Sequence, residues 1–191
     1  MHLLRSTAWI ITSVYATIPA YWITTHAAIS RWRRGGTTSY KALVCWWAAY
    51  TVFALLISAP WRYALLYRTS VDAWCASAVL WLFALNVYRR IPRFGLGRFV
   101  GKTELTATPS QVIRTGMHAR VRHPIYVGHL AMLTAWCVAS GSIACYGLLL
   151  WAVITGASMI RLEESELVAR FGEDYRTYQQ QVPMLFPRLR S

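Results

Sequence analysis

IYVGHLAMLTAWCVASGSIACYGLLLWAVITGASMI, running from Ile125 to Ile160, is two apolar runs joined by Ser140-Gly141-Ser142, with no Asp, Glu, Lys or Arg anywhere in it. A helix that crosses a bilayer needs about 20 mostly apolar residues. Ile143–Ile160 approaches that length and Ile125–Ala139 is shorter. A small polar triplet between two such runs predicts a tight helical hairpin.

Three further apolar runs lie upstream. Ala8–Ile29 is closed by Arg31, Arg33, Arg34 and Gly35-Gly36; Ala42–Ala59 by Pro60, Trp61 and Arg62; Val71–Tyr88 by Arg89, Arg90 and Pro92. The predicted fold class is an all-α polytopic membrane protein with about five transmembrane helices and a cytosolic C-terminal helix. One membrane domain, residues 1–191, divides into an N-terminal three-span part, 8–91, and a second part, 92–191.

The composition agrees with a membrane solvent. Of 191 residues, 56% are hydrophobic and 14% charged, about half the charged share of a soluble domain. The net charge is +13. A nucleic-acid partner is not the reading of that charge, because the basic residues punctuate apolar runs and form no separate basic module. Cys45, Cys75, Cys137 and Cys145 make no CxxC pair and no zinc spacing, so no metal and no disulfide framework are expected. The run from Ala8 exceeds a typical signal core and is read as the first membrane helix.

Orientation follows from Arg and Lys in the short loops. Arg31, Arg33, Arg34 and Lys41 follow the first run, and Arg89, Arg90, Arg93, Arg98, Lys102, Arg114, Arg120 and Arg122 follow the third. The loop after the second run holds only Arg62 and Arg68. The N-terminus is therefore expected outside and the C-terminus in the cytosol, in an inner or plasma membrane.

Polar groups inside the apolar runs are few. Asn86 reads as a partner for a neighbouring helix. His129 follows Tyr126 by about one turn and is expected to face the same cavity. Five of the seven acidic residues, Glu163, Glu164, Glu166, Glu173 and Asp174, fall within twelve positions after the last run. Leu162, Leu167 and Phe171 supply an apolar stripe there, and Gly172 a helix end. Glu163 and Glu164 sit within a turn of the membrane exit, where a carboxylate is expensive unless a cation meets it.

Arg122-His123-Pro124-Ile125-Tyr126-Val127-Gly128 opens the hairpin, with Pro124 suited to the first helical position. After the hairpin come Glu163-Glu164-x-x-Leu167-x-x-x-Phe171-Gly172-x-x-Tyr175-x-x-Tyr178, then Val182-Pro183 and Phe186-Pro187. In this order and spacing, the chain from about Gly95 to Pro187 resembles the isoprenylcysteine carboxyl methyltransferase group of integral-membrane methyltransferases.

The resemblance implies a cytosolic pocket for S-adenosyl-L-methionine within residues 92–191. Carried over by position, the cofactor contacts are Ser110, Gln111, Val112, Ile113, His118, His123, Pro124, Ile125, Tyr126 and Glu163. Glu164, Arg161 and His129 are the candidates for acceptor chemistry. The implied acceptor is a lipophilic small molecule or lipid, such as an isoprenylcysteine-like carboxylate, that enters from the membrane.

Two positions depart from the pattern. Gly116-Met117-His118 stands where the family has Gly-x-Tyr. Met159 stands four residues before Glu163, where the eukaryotic enzymes carry an Arg for the substrate carboxylate. Arg161 lies two residues before Glu163, about 200° around a helix from it. The cofactor half of the pattern is kept and the acceptor half is changed. Two other readings stay open: a reductase of the membrane sterol-reductase type, whose C-terminal pattern is similar, and a non-enzymatic membrane protein that retains the fold. Against the reductase, Ile125 replaces an expected Asn, and Gly95-Leu-Gly97-Arg98 follows Pro92 and no strand.

Overall fold

The computed structural model describes residues 2–27, 29–91 and 111–187, with the side chains of 29–40 left aside. Seven α-helices occur among them: α1 His2–Ala16, α2 Ile18–Ala27, α3 Ile29–Ser58, α4 Val71–Arg89, α5 Pro124–Ser140, α6 Ile143–Phe171 and α7 Glu173–Gln181. Short 3-10 turns occupy Ala59–Trp61 and Gly116–Ala119.

Three helical stretches are long and apolar enough to cross a membrane: Lys41–Trp61, α4 and α6. α5 is a shorter apolar helix. The first of the expected spans is not a single helix. The run Ala8–Ile29 is two helices broken at Thr17. Pro19 is the cause: it has no N–H for the carbonyl of Tyr15, and its ring crowds that carbonyl. The Thr17 hydroxyl at the break donates to the Val14 carbonyl (2.9 Å), accepts from the Trp47 indole (3.2 Å) and lies 3.0 Å from the Thr51 hydroxyl. The break is thereby fastened to α3. A second correction concerns the Gly35-Gly36 region, read as a loop; α3 runs through it as helix. The acidic segment prolongs the last span: α6 continues unbroken through Glu163 and Glu164 to Phe171 and ends at Gly172, and Glu173 and Asp174 open α7.

The hairpin forms as expected. Gly141 caps α5 with φ +63°, and its N–H donates to the Cys137 carbonyl at 2.9 Å. The chain between α3 and α4 closes over the turn: the N–H of Leu66 donates to Gly141 O and that of Ile143 to Ala64 O, both at 2.9 Å. Small residues make the helix contacts. Ala16, Leu133, Leu148 and Ala152 form one buried cluster, and Ala8, Cys137 and Cys145 another. In lipid, where apolar helices gain nothing by leaving solvent, such close backbone approach is what packing can use. At Gly128 α5 meets α4 closely: a Cβ there would stand 2.8 Å from the Tyr88 ring. Ser70 starts α4, its hydroxyl accepting from the Ala73 N–H. Asn86 accepts from Arg90 Nε at 3.0 Å at the end of its own helix, where a partner on a neighbouring helix was expected.

Candidate active site

Pro124 begins α5 and leaves His123 at the N-cap position. The segment before it is tied to the end of the chain by two backbone bonds, Arg122 N–H to Pro183 O (2.9 Å) and His123 N–H to Met184 O (3.1 Å). α6 passes beside this seam and brings its two adjacent glutamates to it.

Glu164 is enclosed by donors. Its Oε1 accepts from Arg122 Nε (2.7 Å) and His123 Nε2 (3.0 Å), and its Oε2 from Gln179 Nε2 (3.0 Å). Arg122 also donates to the carbonyls of Gln179 and Val182. Five residues from three stretches of chain, Arg122–His123, α6 and the end of α7, thus converge on one buried ion pair. Such a pair loses its partner at high cost, because the surviving charge stays buried.

Glu163 is placed differently. Its Oε2 lies 3.3 Å from His123 Nδ1, close enough for an ion pair, yet it is buried with no hydrogen-bond donor among the described residues. Burial pulls the His123 imidazole toward neutrality, but the two glutamates outweigh it and hold its pKa up at about 9. The ring is therefore an imidazolium at neutral pH, wedged between two carboxylates.

Two hollows, of about 100 and 110 Å³, adjoin at a wall formed by His118, Arg122, His123 and Glu163. The first is also lined by Ile18, Trp22 and His26 from α2, by Pro124, Ile125, Tyr126 and His129 from α5, and by Met159. The second is lined by Gln111, Val112, Ile113, Leu167, Phe171 and the paired rings of Tyr175 and Tyr178. His118 is fixed on this wall, its Nδ1 donating to the Arg122 carbonyl (3.2 Å) and its own carbonyl accepting from the Tyr178 hydroxyl (2.7 Å).

Nine of the ten positions expected to contact a cofactor line one hollow or both; Ser110 lies outside the described residues. Of the three acceptor-side candidates, His129 and Arg161 line one hollow together, and Glu164 does not line it. Arg161 lines a third hollow with Ile160, Met184 and Leu185, away from the Glu163 face as its half-turn offset requires, and this hollow shares Tyr126 and His129 with the first. Glu164 has both oxygens engaged. His129 lines the first hollow, but its Nε2 donates to the Tyr15 carbonyl at 2.9 Å, the acceptor that Pro19 leaves open.

Sequence reasoning missed His26, Trp22 and Met159 as lining residues. Trp22 and His26 stand one turn apart on α2 and stack at 5.4 Å. That spacing inside an apolar run was the available signal. Met159 was noted only as a missing arginine; its sulfur accepts from the Tyr126 hydroxyl at 2.6 Å.

The orphaned oxygen of Glu163 is the observation that bears on a cofactor. A buried carboxylate oxygen with no donor is costly. An ammonium in the adjoining hollow would donate the bond this oxygen lacks, and a sulfonium would set a second positive charge beside it. The wall residues therefore fit S-adenosylmethionine, which carries both groups.

Comparison with known proteins points to methyl transfer. The chain is 35% identical over 130 residues to methanethiol S-methyltransferase 1 of Bradyrhizobium diazoefficiens, covering 64% of this chain and 43% of that protein. It is 30% identical over 179 residues to methanethiol S-methyltransferase 2 of the same organism, covering 85% and 66%. With the methanethiol S-methyltransferase of Crocosphaera subtropica it shares 39% over 83 residues, 42% of this chain and 31% of the relative. The matched stretches thus span between about a third and two thirds of these relatives' own lengths. No solved structure matches. Residues 69–174, more than half of the chain, match the phospholipid methyltransferase family, and the chain belongs to that family of integral-membrane methyltransferases.

Proposed function

We propose that the chain transfers a methyl group from S-adenosylmethionine to a small lipophilic thiol that reaches the first hollow from the membrane. The observation that carries the donor half is Glu163 Oε2, buried beside the hollow with no donor of its own. The acceptor half is supported by the thiol methylation for which the relatives are named and by Met159. An isoprenylcysteine carboxylate needs a cation to orient it. Arg122 and His123, the cations lining this hollow among the described residues, are both already paired with glutamate. A neutral thiol asks for no such partner.

When bound, S-adenosylmethionine supplies an electrophilic methyl on a positively charged sulfur. Glu163 would offset that charge, and His123 would keep the Glu163 carboxylate ionised and aimed. The Gln111–Ile113 segment with Phe171, Tyr175 and Tyr178 would hold the flat, apolar part of the nucleoside. Tyr126, Ile18 and Met159 would keep water from the reacting sulfur, and alignment in a dry pocket is the main contribution an enzyme makes to such a displacement. The basic loops favour a cytosolic face for this pocket and for the C-terminus, with α5 and the α1–α2 pair completing the bundle inside the bilayer.

The test is binding of labelled S-adenosylmethionine to the full chain in detergent and in lipid nanodiscs, followed by label transfer to methanethiol, longer alkanethiols and a farnesylcysteine analogue. Saturable binding with label on the alkanethiols is expected. Absence of binding in both media overturns the proposal, and label on the farnesylcysteine analogue alone restores the carboxylate reading.

A further inference from the structure

His26 closes the last turn of α2, and its side chain is only 7% exposed. Its Nδ1 lies 2.7 Å from Oε2 of Glu166 on α6. An ionised carboxylate only accepts, so Nδ1 carries a hydrogen, and in the neutral ring Nε2 then holds the lone pair. No described residue bonds to Nε2. The ring plane is fixed by its stack on Trp22 at an interplanar angle of 26°. Glu166 in turn is held by Arg170, one turn further along α6. The same ring lines the first hollow with Glu163, Tyr126 and Met159.

We propose that His26, oriented by Glu166, is the general base that removes the proton from the thiol acceptor. This rests on the thiol reading given above. A thiol attacks as its thiolate, and an alkanethiol is mostly protonated at neutral pH. Something in the hollow must accept that proton. Both His123 nitrogens face carboxylates, His129 Nε2 is spent on the Tyr15 carbonyl, and His118 Nδ1 faces a carbonyl that gives an imidazolium no countercharge. A histidine backed by a carboxylate is the arrangement that fixes the tautomer and supports the imidazolium once it forms.

The balance is simple. The S–H bond breaks and the proton goes to His26 Nε2. The sulfur's electron pair forms the bond to the donor methyl, and the electrons of the broken methyl–sulfonium bond stay on the donor as a neutral thioether. The charged and titratable groups facing His26 are Glu166 and Arg170, then Glu163, His123, His118 and Arg122 across the hollow.

The test compares an alkanethiol with thiophenol, which is already largely ionised at neutral pH. The full chain, His26→Gln and Glu166→Gln are assayed on both, with cofactor affinity measured by calorimetry. Histidine ¹⁵N NMR on the full chain without cofactor reads the His26 tautomer. For His26→Gln, kcat/KM on the alkanethiol is expected to fall roughly 100-fold or more. On thiophenol it should fall less than about threefold, with cofactor Kd unchanged. Glu166→Gln is expected to show the same selectivity with a smaller loss, and the NMR spectrum to show Nδ1–H with bare Nε2. Equal losses on the two thiols, no loss on either, or an Nε2–H tautomer overturn the base while leaving the thiol reading intact. A wild-type chain that methylates neither thiol overturns that reading, and this proposal falls with it.

Discussion

Oε2 of Glu163 lies 3.3 Å from Nδ1 of His123 without forming a hydrogen bond, while Oε1 of the neighbouring Glu164 takes a bond from the other nitrogen of the same ring at 3.0 Å. Two adjacent carboxylates therefore share one imidazole unequally. Glu164 also holds Arg122 and Gln179, and Glu163 keeps an unmet acceptor at the edge of two hollows. The pair divides into a structural member and a binding member. The first two predictions separate them.

Glu163→Gln removes the charge that faces the hollow and leaves the Arg122–Glu164–Gln179 cluster in place. Cofactor affinity is expected to drop roughly 10- to 100-fold, the value of a charge-assisted contact. The melting temperature in detergent should change by no more than a few degrees. Calorimetric titration alongside a thermal melt reads both quantities. Unchanged affinity removes Glu163 from the cofactor site.

Glu164→Gln does the reverse. It strands the Arg122 guanidinium, only 9% exposed, beside an imidazolium. Breaking such a pair costs about 3–5 kcal/mol, and the seam to Pro183 and Met184 is expected to loosen. A lowered melting temperature with earlier proteolysis of the C-terminal segment is the expected result. A variant that melts like the wild type and loses only cofactor affinity would move Glu164 into the binding role.

The cluster also sets a pH limit. The folded pKa of His123, about 9, lies above its ordinary 6.5. Its contribution is fully present below pH 6.5 and is lost as pH rises through about 9. The gap corresponds to about 3 kcal/mol. Melting temperature should therefore fall by several degrees between pH 7 and 10, and His123→Gln should flatten that decline. Parallel profiles for the two chains would show that the ring is not charged between the glutamates.

Much of this site was legible because its parts are local in sequence. Arg122-His123-Pro124 marks a helix start by the chemistry of proline, Ser140-Gly141-Ser142 marks the turn, and Glu163-Glu164 stands out because carboxylates are rare beside a membrane run. What was hidden is long-range or backbone-borne. Nothing near His26 announces Glu166, 140 residues away. His129 reads as a cavity histidine until Pro19, on another helix, is seen to deny the Tyr15 carbonyl its helical N–H, which the His129 ring replaces. The same proline breaks the first apolar run, which hydrophobicity alone reads as a single span. Glu163 and Glu164 are alike in the sequence; only the fold decides which of them meets Arg122.

The hairpin turn offers the most distant control over the site. Gly141 has φ +63°, and a Cβ there would stand 2.5 Å from the Tyr67 carbonyl oxygen, a backbone atom that the closing loop cannot readily withdraw. Gly141→Ala thus combines a left-handed backbone with a steric clash, and a loss of roughly 2 kcal/mol or more is expected. Gly147, a few residues along α6, has nothing within 4 Å of a Cβ. Gly147→Ala should be neutral or stabilising by up to about 1 kcal/mol, as alanine favours a helix over glycine. Glu163 lies about 30 Å along α6 from Ile143, at 1.5 Å per residue. The turn sets how α5 and α6 run past each other, and α5 carries His123 at its start. Gly141→Ala should therefore lower the cofactor-competent fraction along with the melting temperature, while Gly147→Ala lowers neither. A Gly141→Ala chain that melts and binds like the wild type would show that the closing loop, and not the turn, holds the two helices in register.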